Sequence, residues 1–244
     1  MEIAFSKYHG NGNDFLLIDG TGWEQDLIQL LDVPKVCHRR YGVGADGILV
    51  LQSMEQARAK IVIYNADGSE ASMCANGARC MAQLVQECYG EQRLQIVAKA
   101  GVYGAQVQQG LVNLSCDNSF ESRQVPEGFL MNTGVEHLLV QVDQLENYPV
   151  LEKGRQFRQR YQSNVSFYQE QNGELAMRTY EKGVEDETYS CGTAVMALAV
   201  LRGGKGLVRT RGGELQWQVD EQRVSYGGVV EKTFEGKLII HDKN

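Results

Sequence analysis

Two segments of this 244-residue chain repeat one local grammar, and that repetition constrains the fold more than any other feature. Residues 65–79 read NADGSEASMCANGAR, and residues 185–195 read EDETYSCGTAV. In each, an acidic turn leads to one cysteine, Cys74 or Cys191, then to small residues and an Ala-rich run. The spacing predicts a helix over about 76–87, with Ala78, Met81, Ala82, Leu84 and Val85 on its apolar face, and a second over about 193–201. Short β-branched and aromatic runs surround both. Those at 3–8, 15–19, 48–52, 60–64, 94–98, 103–108 and 111–116 precede a turn-rich gap at 117–128. Those at 138–142, 164–169, 175–180, 215–219, 224–226 and 237–241 follow it. A repeat of this length with one special residue per copy suggests an internal duplication into two facing lobes. Chance recurrence of a Cys before a small residue is the alternative. The lobes are expected at 1–118 and 119–233, with 234–244 returning as the last strand of the first.

The composition is that of a globular chain, 43% hydrophobic and 23% charged with only 3 Pro, long enough to bury a substantial core. Lys plus Arg number 24 against 31 Asp plus Glu, a formal charge of -7 with no basic run. That argues against nucleic acid or an anionic membrane as the main partner. The longest apolar stretches, such as 47–51 and 194–201, fall far short of a bilayer span. The opening MEIAFSKYHG has no basic segment followed by an apolar run, so no secretory signal is expected and the location is expected to be cytoplasmic. Cys37, Cys74, Cys80, Cys88, Cys116 and Cys191 should then be reduced thiols, most of them small core residues. There is no C-x-x-C pair, and His9, His38, His137 and His241 are scattered, so no metal site is expected.

Cys74 and Cys191 each stand where a helix begins. Such an end carries unpaired backbone N–H groups and the positive pole of the helix dipole. Two such ends acting on one small anion would suit a carboxylate. Ala75, Gly77, Gly192 and Ala194 would admit a ligand close to the backbone. The same field lowers a thiol pKa, so both cysteines could exchange protons near neutrality. One thiolate would remove the proton from the carbon next to the carboxylate, and the opposite thiol would return one to the other face. This chemistry requires no cofactor.

Several ordered motifs extend this reading. FSKYHGNGNDF at 5–15, GVGADG at 42–47, NADGSE through MCANGAR at 65–79 and YEKGVEDETYSCGT at 180–193 span nearly the whole chain. Together they resemble the diaminopimelate epimerase family of pyridoxal-independent two-cysteine epimerases and racemases. The resemblance implies an α+β fold of two pseudo-symmetric β-rich lobes, each wrapping a central helix, with the active site in the cleft between them. It implies Cys74 and Cys191 as the proton-transferring pair, His137 near the first and Glu181 near the second, each orienting or tuning its thiol. Asn13, Asn65 and Asn164 align with side chains that line the substrate pocket. Backbone N–H groups around Asn76, Gly77, Gly192 and Thr193 would hold the α-carboxylate. Interconversion of LL- and meso-diaminopimelate, in lysine and peptidoglycan biosynthesis, and a homodimer are further implications.

The chain departs from the family pattern at four places. Cys-Gly-Asn-Gly is Cys74-Ala75-Asn76-Gly77, and the residue after Cys191-Gly192-Thr193 is Ala194 rather than Gly. The Gly-Asn-Pro-His motif is Gly134-Val135-Glu136-His137, and Glu-Arg-Gly is Glu181-Lys182-Gly183. The missing Asn and Arg are expected to read the substrate's distal end, where Lys182 offers a point charge without a bidentate fork. An epimerase or racemase of another amino acid, or an idle amino-acid-binding paralogue, are the competing readings.

Overall fold

Alternating burial along Glu2–Gly10, with Ile3 and Phe5 turned inward, makes the first strand, β1. The computed structural model describes residues 1–23 and 27–240. The chain divides into two units, one of residues 1–114 with the described residues from 229 onward, the other of Ser115–Gly228.

In the first unit β1 turns through Asn11 and Gly12, both at positive φ (54° and 83°), into β2 (Asn13–Asp19). This is the geometry of a two-residue hairpin turn whose twist matches the strands. The short helix α1 (Val33–Cys37) leads to β3 (Gly47–Glu55), which lies parallel to β2. Next come β4 (Arg58–Asn65), antiparallel to β3, and the two-residue strand β5 (Glu70–Ala71). Helix α2 (Ala75–Tyr89) then crosses over to β6 (Arg93–Ala98), parallel to β4, which pairs with β7 (Gly101–Gln108). Strand β8 (Leu111–Asp117) ends this run.

The second unit repeats these connections. After β9 (Ser122–Val125), β10 (Gly128–Asn132) and β11 (Glu136–Gln141) form a hairpin. Helix α3 (Val150–Tyr161) carries the chain to β12 (Asn164–Gln171), parallel to β11 and antiparallel to β13 (Glu174–Glu181). Then β14 (Asp186–Thr188) and helix α4 (Gly192–Arg202) precede β15 (Lys205–Thr210), parallel to β13 and paired with β16 (Gly213–Val219). The long strand β17 (Arg223–Ile239) runs from this unit into the first. The duplication is thus one of topology: each copy has an antiparallel pair, a parallel step, a hairpin and a crossover holding one cysteine and one apolar helix.

Both helices lie against their own unit's strands, α2 on β1, β2, β3, β6 and β7, and α4 on β11, β15 and β16. The first two turns of α2 are buried all round, as expected for a helix inside a sheet rather than on it. The first core gathers Ile3, Phe5, Leu16, Ile18 and Ile48; the second gathers Leu138, Val140, Val165, Phe167 and Tyr180. Burial of each such side chain stabilises by roughly 1.5–3 kcal/mol.

The sequence pattern marks α2, α4 and most of the longer strands, but not α1, α3, β5, β9, β10, β14 or β15. The runs at 224–226 and 237–241 belong to the one strand β17, with residue 241 outside the described residues. Among the described residues no helix is long and apolar enough to cross a membrane.

Candidate active site

Each unit holds one cysteine at a helix start, in the same local geometry. Cys74 is the residue before α2, at φ −136° and ψ 112°; Cys191 is the residue before α4, at φ −122° and ψ 108°. Both have extended backbone, and each carbonyl accepts a helical bond, from Ala78 N at 2.8 Å and from Val195 N at 3.1 Å. These are N-cap positions, where the first turn's N–H groups point outward. Of the remaining cysteines, Cys37 and Cys80 are buried, and burial pushes their thiols up to about 11 and about 12. They are core thiols. All six are free.

In the first unit the half-buried Cys74 Sγ lies 3.7 Å from Asn13 Oδ1, which also accepts from Asn76 Nδ2 at 3.3 Å. Asn13 Nδ2 donates in turn to Asp46 Oδ2 at 2.7 Å. Next to it, Asp14 is held by Arg39 and by the buried Lys7, whose Nζ sits 2.6 Å from Asp14 Oδ2. Burial pushes the Asp14 carboxyl up, but the bonds and charge of Arg39 and Lys7 outweigh it and hold it at about 2. This ionic knot fixes the start of β2, and with it Asn13. Asn65 closes β4 and donates through Nδ2 to Ser69 Oγ at 2.9 Å, within the turn that Asp67 and Ser69 build. Gly77 has a packing reason beside any ligand: a Cβ there would meet the Leu49 methyls at 3.0 and 3.1 Å.

In the second unit Cys191 is only 7% exposed. Its Sγ is 3.4 Å from Thr193 Oγ1, and the same hydroxyl is 3.0 Å from His137 Nε2. Thr133 Oγ1 donates to Thr193 O at 3.1 Å, a second tie to the helix start. Burial lowers His137 to about 3, so its imidazole is neutral at ordinary pH. For Cys191, burial first and the charge of Glu181 second raise the thiol well above its usual value, against weaker help from Thr193 and the Ala194 amide. The expectation that a helix start brings both thiols into neutral titration therefore gives way at Cys191, where desolvation wins. This thiol holds its proton. Glu181 Oε1 accepts from Thr188 Oγ1 at 2.6 Å, which fixes the carboxylate that bears on the sulfur.

Asn164 and Lys182 meet through the backbone, with Asn164 Oδ1 accepting from Lys182 N at 2.8 Å. The Lys182 ammonium, on an exposed residue, donates to Gln162 O at 3.1 Å. Among the described residues no group of three or more His, Cys, Asp or Glu could hold a metal ion. Sequence reasoning gave no role to Arg79, Asp46 or Thr188. A cation inside the apolar run of α2 was the available signal for Arg79; spacing alone offered none for the other two.

The fold has solved counterparts. A phenazine biosynthesis protein of the PhzF family from Bacillus anthracis matches with a TM-score of 0.75 at 15% identity, over 98% of this chain and 100% of that one. A hydroxyproline epimerase from Agrobacterium vitis, with bound trans-4-OH-L-proline, matches with a TM-score of 0.69 at 14% identity, over 97% and 92%. At these identities the likeness defines the fold class. The family follows from sequence: the diaminopimelate epimerase family model matches residues 5–113 and 129–232. A diaminopimelate epimerase from Archaeoglobus fulgidus is 34% identical over 99% of this chain and 98% of its own length. Another from Aquifex aeolicus is 34% identical over 97% and 98%. The chain belongs to the diaminopimelate epimerase family and is an isomerase of the epimerase kind.

Proposed function

We propose that this enzyme inverts the α-carbon of an amino acid without a cofactor, with Cys74 and Cys191 as the two proton-transferring groups. The observation that carries the reading is the pair of matched N-cap cysteines, one per topological copy, in a chain that belongs to this family. One thiolate takes the α-hydrogen as a proton, leaving the electron pair on carbon and delocalised into the carboxylate. The other thiol delivers its proton to the opposite face. One C–H bond breaks, one forms, and the thiolate changes side. Helix-start N–H groups around Asn76, Gly77, Gly192 and Thr193 bind the carboxylate and gain strength as charge builds on it. Cys191, buried beside Glu181, enters as the proton donor, so Cys74 supplies the base in that direction. The resemblance pairs His137 with the first thiol; the contact it makes in its own unit runs instead through Thr193 Oγ1 to Cys191 Sγ, and through that hydroxyl the neutral imidazole acts on Cys191.

The proposed substrate is diaminopimelate, LL to meso, in lysine and peptidoglycan biosynthesis. Relatives of that name cover nearly the whole chain. Asn13, Asn65, Asn164 and Lys182 then contribute to the pocket. Lys182 supplies the charge for the distal carboxylate; loss of the bidentate grip costs roughly 1.5–3 kcal/mol of recognition. A second reading, a racemase or epimerase of another amino acid, draws on Val135 and Lys182 in place of Asn and Arg. The resemblance further suggests a cytoplasmic homodimer. Proton NMR of candidate amino acids in D2O decides between these readings. Exchange of the α-hydrogen of LL-diaminopimelate, sharply reduced in Lys182→Ala and kept in Lys182→Arg, is the expected result. A preference for a substrate lacking a distal carboxylate transfers the assignment to the second reading, and no exchange with any amino acid defeats both.

A further inference from the structure

We infer that Arg79 is a positioning residue for the first thiol, acting through Asn76 and Asn13 at the junction of α2 with the β1–β2 hairpin. The inference rests on the proposed role of Cys74 as a reacting group.

Arg79 stands one turn into α2, and its side chain is entirely buried. Its Nη2 donates to Asn76 Oδ1 at 2.8 Å and to Asn11 Oδ1 at 2.8 Å. A guanidinium can only donate, so it fixes which end of each amide faces it. With Oδ1 turned to Arg79, Asn76 offers its Nδ2 edge to Asn13 Oδ1, the atom that Cys74 Sγ approaches at 3.7 Å. At the far side Asp46 can only accept, and it holds Asn13 Nδ2 at 2.7 Å. The relay Arg79–Asn76–Asn13–Asp46 therefore has one orientation of both amides, set by a donor at one end and an acceptor at the other.

The second bond of Nη2 explains why the hairpin belongs to this device. Asn11 occupies the first of the two positive-φ positions of the turn that places Asn13 at the head of β2. The hairpin makes room for the guanidinium at Gly10, where a Cβ would lie 3.1 Å from Arg79 Nη2 and 3.3 Å from Asn76 O. One buried cation thus joins the turn, the helix start and the asparagine beside the thiol. It also places positive charge behind the N-cap, which favours a thiolate there.

The test is alkylation of the full-length protein by iodoacetamide over a pH series, with peptide mass spectrometry reading Cys74 and Cys191 separately. Turnover of LL-diaminopimelate and far-UV circular dichroism accompany it. In Arg79→Met, alkylation of Cys74 at pH 7.5 should slow by about threefold or more, with its pH profile displaced upward and Cys191 unchanged. Its kcat should fall by about tenfold, with KM moving less. Arg79→Lys, which keeps the charge and a donor, should recover part of both. Asn76→Ala leaves Arg79 joined to Asn11 and improves helix propensity, so it serves if Arg79→Met does not fold. It should show the same slowing confined to Cys74. A folded Arg79→Met or Asn76→Ala with wild-type Cys74 alkylation and kcat overturns the inference, and so does equal slowing at both cysteines. Alkylation needs no substrate. A mistaken substrate assignment would therefore appear as absent turnover in the wild type, with the Cys74 effect intact.

Discussion

His137 and Thr193 meet at 3.0 Å, Nε2 to Oγ1, with the imidazole fully withdrawn from solvent. The same hydroxyl reaches Cys191 Sγ at 3.4 Å, so Thr193 couples a ring strand to a thiol at the start of α4. Thr193→Val keeps the shape and deletes the coupling. It should cost about 1–3 kcal/mol in denaturant unfolding, because the His137 nitrogen loses its partner. Alkylation of Cys191 should also slow, since Thr193 favours its thiolate. Thr193→Ser should restore both. A valine variant as stable and as reactive as the wild type would show the contact to be incidental.

The burial of His137 makes a signed prediction about pH. Its folded value is lowered to about 3, while an unfolded histidine titrates near 6.5. Between these values the unfolded chain binds the extra proton, so stability is complete above about 6.5 and falls as pH falls. The slope is about 1.4 kcal/mol per pH unit for this one group. Asp14, held at about 2, loses its contribution only below about 4. Unfolding measured between pH 6.5 and 5 is therefore dominated by the histidine, and the comparison with His137→Gln singles it out. His137→Gln should flatten that segment, and an unchanged slope would refute the assignment.

Glu181 should act on Cys191 by charge. After burial, its carboxylate is the largest cause of the raised thiol. Glu181→Gln is isosteric and retains an acceptor for Thr188, so the hairpin should stay intact. Cys191 alkylation at pH 8 should quicken, by roughly tenfold if the charge accounts for one pH unit, while inversion slows because the proton donor is no longer tuned. Unchanged Cys191 reactivity would remove Glu181 from the site.

The helices that carry the cysteines were legible in sequence because their runs are Ala-rich and apolar and each begins at an N-cap. Helix α3 was not. Its sequence is polar, and Gly154 interrupts it where helix propensity alone would place something larger. The glycine is there for contact: a Cβ would lie 2.5 Å from Tyr180 Cβ, so the helix can lie close on β13 only without one. The helix-start position of Cys74 and Cys191 was likewise readable, whereas Glu181 was singled out by resemblance alone. The proton held by Cys191 was not, since it follows from burial that only packing determines. Nor was the reach of Arg79 to Asn11, 68 positions away, which exists because the β1–β2 hairpin is folded against the start of α2.

In the proposed reaction two thiols, one from each topological copy, divide the proton transfer. Inversion of LL-diaminopimelate by Cys74→Ser and Cys191→Ser, each first checked by circular dichroism for a native fold, tests that division. A serine hydroxyl is a far poorer base than a thiolate, so each variant should lose inversion by about a thousandfold or more while remaining folded. Wild-type inversion in either folded variant would contradict the two-thiol account.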